Sequence, residues 1–92
     1  MNFHEGDLVI PAFATGCAAI RDRTQSEMDE ILQAYRGRVP LLPYVYLVIP
    51  ANTMLLVLVG RVKYRYMEKM CKVMDISTGH ILHVKREYLV NA

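Results

Sequence analysis

From Val39 to Gly60 the chain carries no charged residue, a run of twenty-two positions between Arg38 and Arg61. That length is enough for one membrane helix. The content points elsewhere: Pro40, Pro43 and Pro50 interrupt the run, Pro50-Ala51-Asn52-Thr53 reads as a turn, and Tyr, Val and Ile dominate the rest. The spacing therefore predicts two buried strands, Tyr44 to Ile49 and Met54 to Val59, paired as an uncharged hairpin apolar on both faces. Such a hairpin must be covered twice, by a helix on one side and by other strands or a second molecule on the other. Self-association is one solution.

The strands that follow are shorter and polar on one face. Arg61, Lys63 and Arg65 alternate with Val62, Tyr64 and Tyr66, so the pattern gives a cationic face and an apolar one. Gly60, where continuous apolar sequence gives way to alternation, is the expected kink or bulge. Met67-Glu68-Lys69 reads as a turn, Met70 to Ile76 as a returning strand, Ser77-Thr78-Gly79 as the next turn, and His80 to Val84 as a further strand. Lys85-Arg86-Glu87 then breaks the apolar pattern before a short closing piece at Tyr88-Leu89-Val90.

Towards the start, Gly6-Asp7-Leu8-Val9-Ile10 predicts a first strand that stops at Pro11, and Ala12 to Ile20, lacking a firm period, a loop or irregular strand. A helix is expected over about Gln25 to Arg36. Thr24 and Glu27 have capping-box spacing, Met28, Ile31, Leu32 and Tyr35 recur at helical intervals, and Gly37 is placed to end it. The apolar stripe is the expected cover for one face of the hairpin.

Ninety-two residues make one domain with a single modest core. The hydrophobic share of 53% exceeds what so small a sphere readily hides, which favours an apolar contact surface. The net charge of +2 is unevenly spread: residues 1 to 34 carry two basic and six acidic side chains, residues 35 to 92 nine basic and three acidic. Opposite poles of this kind attract one another within the fold or orient a partner. Cys17 and Cys71 stand far apart in apolar settings and no secretory leader pattern opens the sequence, so the expectation is a reduced, cytoplasmic protein.

Gly6-Asp7-Leu8-Val9, Gly79-His80-Ile81-Leu82 and Val84-Lys85-Arg86-Glu87-Tyr88-Leu89-Val90 resemble the opening strand, last hairpin and 3₁₀ turn plus closing strand of SH3-like small barrels, including compact ones encoded by bacteriophages. The resemblance covers the two ends of the chain. It implies a mostly β (α+β by content) barrel of about five to six strands, with one amphipathic helix inserted after the first strand. It transfers no functional residue, and the Trp of the peptide groove has no counterpart here.

No residue constellation points to catalysis or to a cofactor. His4, His80, His83, Cys17 and Cys71 lack zinc-ligand spacing, and a pairing of Cys71 with His80 or His83 across a hairpin has nothing beside it to activate a thiol. Two surfaces remain. One is a protein interface on the apolar side chains Tyr44, Tyr46, Met54, Met67 and Met70, serving a protein partner or a second copy, as in a small phage-encoded modulator of a host protein. The other is a nucleic-acid surface on Arg61, Lys63, Arg65, Lys69 and Lys72, whose alternation sends Tyr64 and Tyr66 to the face opposite the cations. Exposure decides between them: Tyr44 and Tyr46 at the surface favour protein, Tyr64 and Tyr66 beside the cations favour nucleic acid.

Overall fold

The structure, a computed structural model, describes residues 2–36, 43–62 and 69–92. Its elements are β1 (Leu8–Pro11), β2 (Cys17–Asp22), α1 (Gln25–Ala34), β3 (Tyr44–Ile49), β4 (Leu55–Val59), β5 (Met70–Asp75), β6 (Ile81–Lys85), a 3₁₀ turn at Arg86–Tyr88, and β7 (Leu89–Asn91). The protein is mostly β with one helix. Seven strands form one antiparallel sheet in the order β3-β2-β6-β5-β4-β1-β7, whose outer members β3 and β7 are not paired with each other.

Alternation explains the core. Val9, Cys17, Ala19, Ile49, Leu55, Val57, Cys71, Val73, Leu82, Val84 and Leu89 all project from the same face of their strands and, with Phe3, form one buried cluster. Helix α1 contributes no buried residue. The sheet must therefore curl until its inner face packs on itself, because a flat sheet with that face bare would leave these side chains wet.

Several expectations from the sequence are met. Thr24 caps α1 and completes a capping box with Glu27, whose Oε1 accepts from the Thr24 N–H at 3.1 Å while Thr24 Oγ1 accepts from the Glu27 N–H at 3.1 Å. The β5–β6 hairpin turns at Ser77-Thr78-Gly79, where Asp75 Oδ1 accepts from the Ser77 N–H at 3.0 Å and the Gly79 N–H donates to the Asp75 carbonyl at 2.7 Å. The polar break at Lys85-Arg86-Glu87 is the 3₁₀ turn leading into β7.

Others need correction. Tyr44–Ile49 and Leu55–Val59 are strands but not a hairpin: β2, β6 and β5 lie between them in the sheet. Strand β3 pairs along its whole length with β2, from Cys17 opposite Ile49 to Asp22 opposite Tyr44, while β4 pairs with β5 and β1. The Pro50–Met54 connection thus carries the chain between distant sheet positions instead of reversing it onto a neighbour. The segment 12–20 contains a regular strand start, because Cys17 and Ala19 face inward and two partners supply the pairing that local propensity does not. This raises the strand count among the described residues to seven, against the five or six expected, and puts the helix after the second strand. The stripe on α1 seals no part of the core: Met28 and Ile31 are only half-buried, and Leu32 is 40% and Tyr35 58% exposed. The bulge falls between Val57 and Val59, just before Gly60. Gly60 itself is required by the close approach of the Phe3 backbone, whose carbonyl a Cβ would strike. The expected strand 61–66 and turn 67–69 lie mostly outside the described residues.

Gly16 opens β2 with φ +87°, and a Cβ there would collide with the Ile49 carbonyl of β3. Gly16→Ala combines an unfavourable dihedral with a backbone collision and should destabilise by about 2–4 kcal/mol. Gly60→Ala meets only a collision, worth about 1–3 kcal/mol. Urea unfolding of both variants tests the ranking; equal midpoints to the parent protein would overturn this account of the two close approaches.

Candidate functional site

The face of the sheet opposite the core is not uniformly polar. On β3 it presents Tyr44, Tyr46 and Val48, on β2 Ala18 and Ile20, on β6 His83 and Lys85, and on β5 Met70 and Lys72, as the strand registers require. Tyr46 is 66% and Val48 69% exposed. Ala18 stands opposite Val48, and its small side chain leaves a depression between the β3 side chains and the 3₁₀ turn.

Two adjoining hollows meet over Ala18 and Tyr88. The first, of about 310 Å³, is lined by Phe13, Thr15, Gly16, Cys17, Ala18 and Tyr88. The second, of about 220 Å³, is lined by Ala18, Ala19, Ile20, Tyr46, Met70, Lys85 and Tyr88. The walls are aromatic. Phe13 packs edge-on to Tyr88 with ring centroids 5.8 Å apart, Tyr44 packs edge-on to Tyr46 at 5.5 Å, and Lys85 Nζ lies 5.5 Å from the Tyr88 ring centre. Hydrogen bonding with Tyr46 pushes the Tyr44 phenol above its ordinary value.

Of the residues expected at a protein interface, Tyr46 and Met70 line the same hollow and Tyr44 adjoins it. Met54 does not. It precedes β4, and its carbonyl accepts from the Ile76 N–H at 3.3 Å, near a second apolar strip in which Leu8 faces Leu56, Leu56 faces Met74, and Met74 faces Ile81. Met67 lies outside the described residues. Phe13, Ala18, Lys85 and Tyr88 were not anticipated; the signal for Ala18 is a small residue on the outward register of a strand, and for Tyr88 an aromatic at the end of a polar turn.

The cations of the alternative surface are only partly described. Arg61 and Lys69 are exposed, Lys72 is half-buried opposite His83, and Lys63 and Arg65 lie outside the described residues, as do Tyr64 and Tyr66. Tyr46 is separated from Lys72 by β2 and β6.

Cys71 and His83 point to opposite faces of the β5–β6 ladder, since Cys71 pairs with Val84 and Lys72 with His83. The Cys71 thiol donates to the Gly60 carbonyl at 3.2 Å, and burial raises both Cys71 and Cys17 above the ordinary thiol value, although Arg86 acts against this at Cys71. Such thiols are poor nucleophiles at neutral pH. Among the described residues no group of three or more His, Cys, Asp or Glu is placed to hold a metal, and no helix is long and apolar enough to cross a membrane.

No known protein family matches the chain, and no curated protein or solved structure compared with it is similar.

His83 is 8% exposed between Ile20 and Lys72, and its Nδ1 has no hydrogen-bond partner. Desolvation lowers its pKa from the ordinary 6.5; Lys72 adds to the lowering and Asp22 opposes it. The unfolded chain then binds this proton more tightly than the folded one, so the stability is fully present above 6.5 and is lost as pH falls below that value through the lower folded-state pKa. The urea midpoint should drop between about pH 7.5 and 5.5, and His83→Leu should remove much of that drop. An unchanged pH slope in His83→Leu would refute the assignment.

Proposed function

We propose that the protein is a non-enzymatic interaction domain whose two hollows over Ala18 receive an extended apolar segment of a protein partner. The single observation that carries this reading is the exposure of Tyr46 and Val48 beside a concave, aromatic-walled floor. Exposed aromatic and aliphatic side chains bordering a hollow gain most from a partner that excludes water there. Lys85, held over the Tyr88 ring and lining the second hollow, gives the rim positive charge. The fitting partner chemistry is therefore a segment with large apolar side chains and an acidic residue placed towards Lys85.

The finer architecture belongs to the same proposal. Support for an SH3-like barrel comes from the neighbours of β1: the closing strand β7 lies beside it, preceded by a 3₁₀ turn, and the β5–β6 hairpin occupies the middle of the sheet. On this reading β2, α1 and β3 form an excursion between the first barrel strand and β4, and the hollows sit where that excursion meets the 3₁₀ turn. A domain that displays a shaped surface on a small scaffold, without a reacting group, suits the modulation of another protein.

Selection from a random peptide library should enrich apolar sequences carrying Asp or Glu, with NMR shifts on binding concentrated at Phe13, Ala18, Tyr46 and Tyr88. Ala18→Leu places a larger side chain on an exposed position shared by both hollows, so it should leave stability unchanged and weaken the selected peptides about tenfold or more. Peptides that bind Ala18→Leu as well as the parent protein would overturn the site. Binding of single-stranded nucleic acid that collapses with salt, with no peptide selected, would transfer the function to the cationic surface.

A further inference from the structure

We infer that strand β3 is a docking edge for a second copy of the chain, pairing antiparallel with its own equivalent about a two-fold axis at Tyr46. This uses the outward backbone groups of the sheet edge; Tyr46 borders both the edge and the second hollow, whereas Ala18 and Tyr88, shared by both hollows, belong to peptide binding alone.

Backbone pairing decides which groups of β3 face outward. Arg23 N–H donates to the Pro43 carbonyl at 2.9 Å, which fixes the phase of the β2–β3 ladder. In an antiparallel pair the hydrogen-bonded positions recur every second residue. With Arg21 opposite Val45, Ala19 opposite Leu47 and Cys17 opposite Ile49, those three β3 residues direct their N–H and C=O groups to β2. Tyr44, Tyr46 and Val48 direct theirs away from it, and among the described residues no strand occupies that side.

An edge of this kind is ordinarily blunted by charge, proline, a bulge or shortness. The opposite edge is short: β7 has three residues. Strand β3 has none of the four protections within its six residues, although Pro43 and Pro50 bound it at either end. Its outward groups also match themselves. With the axis at Tyr46, Tyr46 meets Tyr46 of the second copy, and Tyr44 meets Val48 in both directions, so every outward N–H and C=O of the strand finds a partner and six hydrogen bonds form, two at each of the three pairs. Aromatic side chains face aromatic or β-branched ones on the outer face, a favourable cross-strand combination. On the inner face the half-buried Val45 and Leu47 gain cover.

Electrostatics do not oppose the approach. No charged side chain lies between Val39 and Gly60, and the nearest on the adjacent strand are Arg21 and Asp22, of opposite sign. The contact is small. A six-residue strand spans about 20 Å, well short of the area of an obligate dimer, so the expected dissociation constant is on the order of 10–100 µM.

Sedimentation velocity on the full chain should show a monomer–dimer equilibrium over about 1–500 µM. Hydrogen exchange locates the contact: amides of Tyr44, Tyr46 and Val48 should become protected as concentration rises, while those of Val45, Leu47 and Ile49 stay protected throughout. Val48→Pro removes an outward donor and leaves the β2 ladder intact, so it should weaken association by about tenfold or more without unfolding the sheet. Tyr46→Lys and Tyr46→Glu should each be monomeric alone, because like charges meet at the axis, and should form a heterodimer when mixed. Ala18→Leu should dimerise as the parent does, which separates this inference from the peptide site. A monomer throughout the range, protection independent of concentration, or dimerisation undiminished in Val48→Pro would overturn the proposal. Saturation of the edge only by an extended peptide would do so too, since it would assign β3 to a different protein.

Discussion

The fold rests on one constraint: the sheet has to be its own lid. In many small α/β domains a helix seals one face of the sheet, but α1 buries no side chain, and the work falls to curvature instead. Inner-face residues from every strand converge on one cluster in which Val9, Leu55, Val57, Cys71, Val73 and Val84 have no exposed surface. Two close backbone approaches accompany this arrangement: Gly16 lies against Ile49 where β3 pairs with the start of β2, and Gly60 against Phe3 at the end of β4. The same curvature leaves the outer face open, with its apolar side chains unsealed.

Helix α1 is held by its first turn. Arg21 on β2 grips Glu27 through two parallel bonds of 2.8 and 3.1 Å, while Glu27 also completes the capping box, and these contacts draw its carboxyl down to about 2. One carboxylate therefore both starts the helix and ties it to the sheet. The far end is less constrained: the chain leaves through Arg36 at φ 52°, and Leu32 and Tyr35 remain exposed. The helix reads as amphipathic in sequence without being a core element in space.

Local features were legible in the sequence and long-range ones were not. The capping box, the Asp75–Gly79 turn and the polar break at Lys85–Glu87 are written in residues a few positions apart, and each appears where expected. Apolar runs bounded by turn residues likewise predicted β3 to β6 to within a residue or so. Pairing is different in kind. That β3 chooses β2 and not β4 depends on how the whole sheet curls, and an apolar run flanked by turns looks the same at an edge as in the centre. The candidate site shows the same division. Tyr46 and Met70 stood among the expected interface side chains, whereas Ala18 and Phe13 matter only because the 3₁₀ turn is folded against β2, which no short window contains.

The placement of β7 beside β1 has a consequence for how the molecule comes into being. Strand β1 has β4 on one side and residues 89–91 on the other, and the Ala92 N–H reaches back to the Leu8 carbonyl at 2.9 Å. Strand β1 thus precedes one of its two partners by about eighty residues and is the last strand whose two edges can both be bonded. Until residues 89–91 are in place, one edge of β1 stands open and Leu89 is missing from the core, so a chain lacking them holds an incomplete, apolar sheet. Completing that ladder joins segments about eighty residues apart, the longest-range pairing in the sheet, and so carries the largest loop-closure cost.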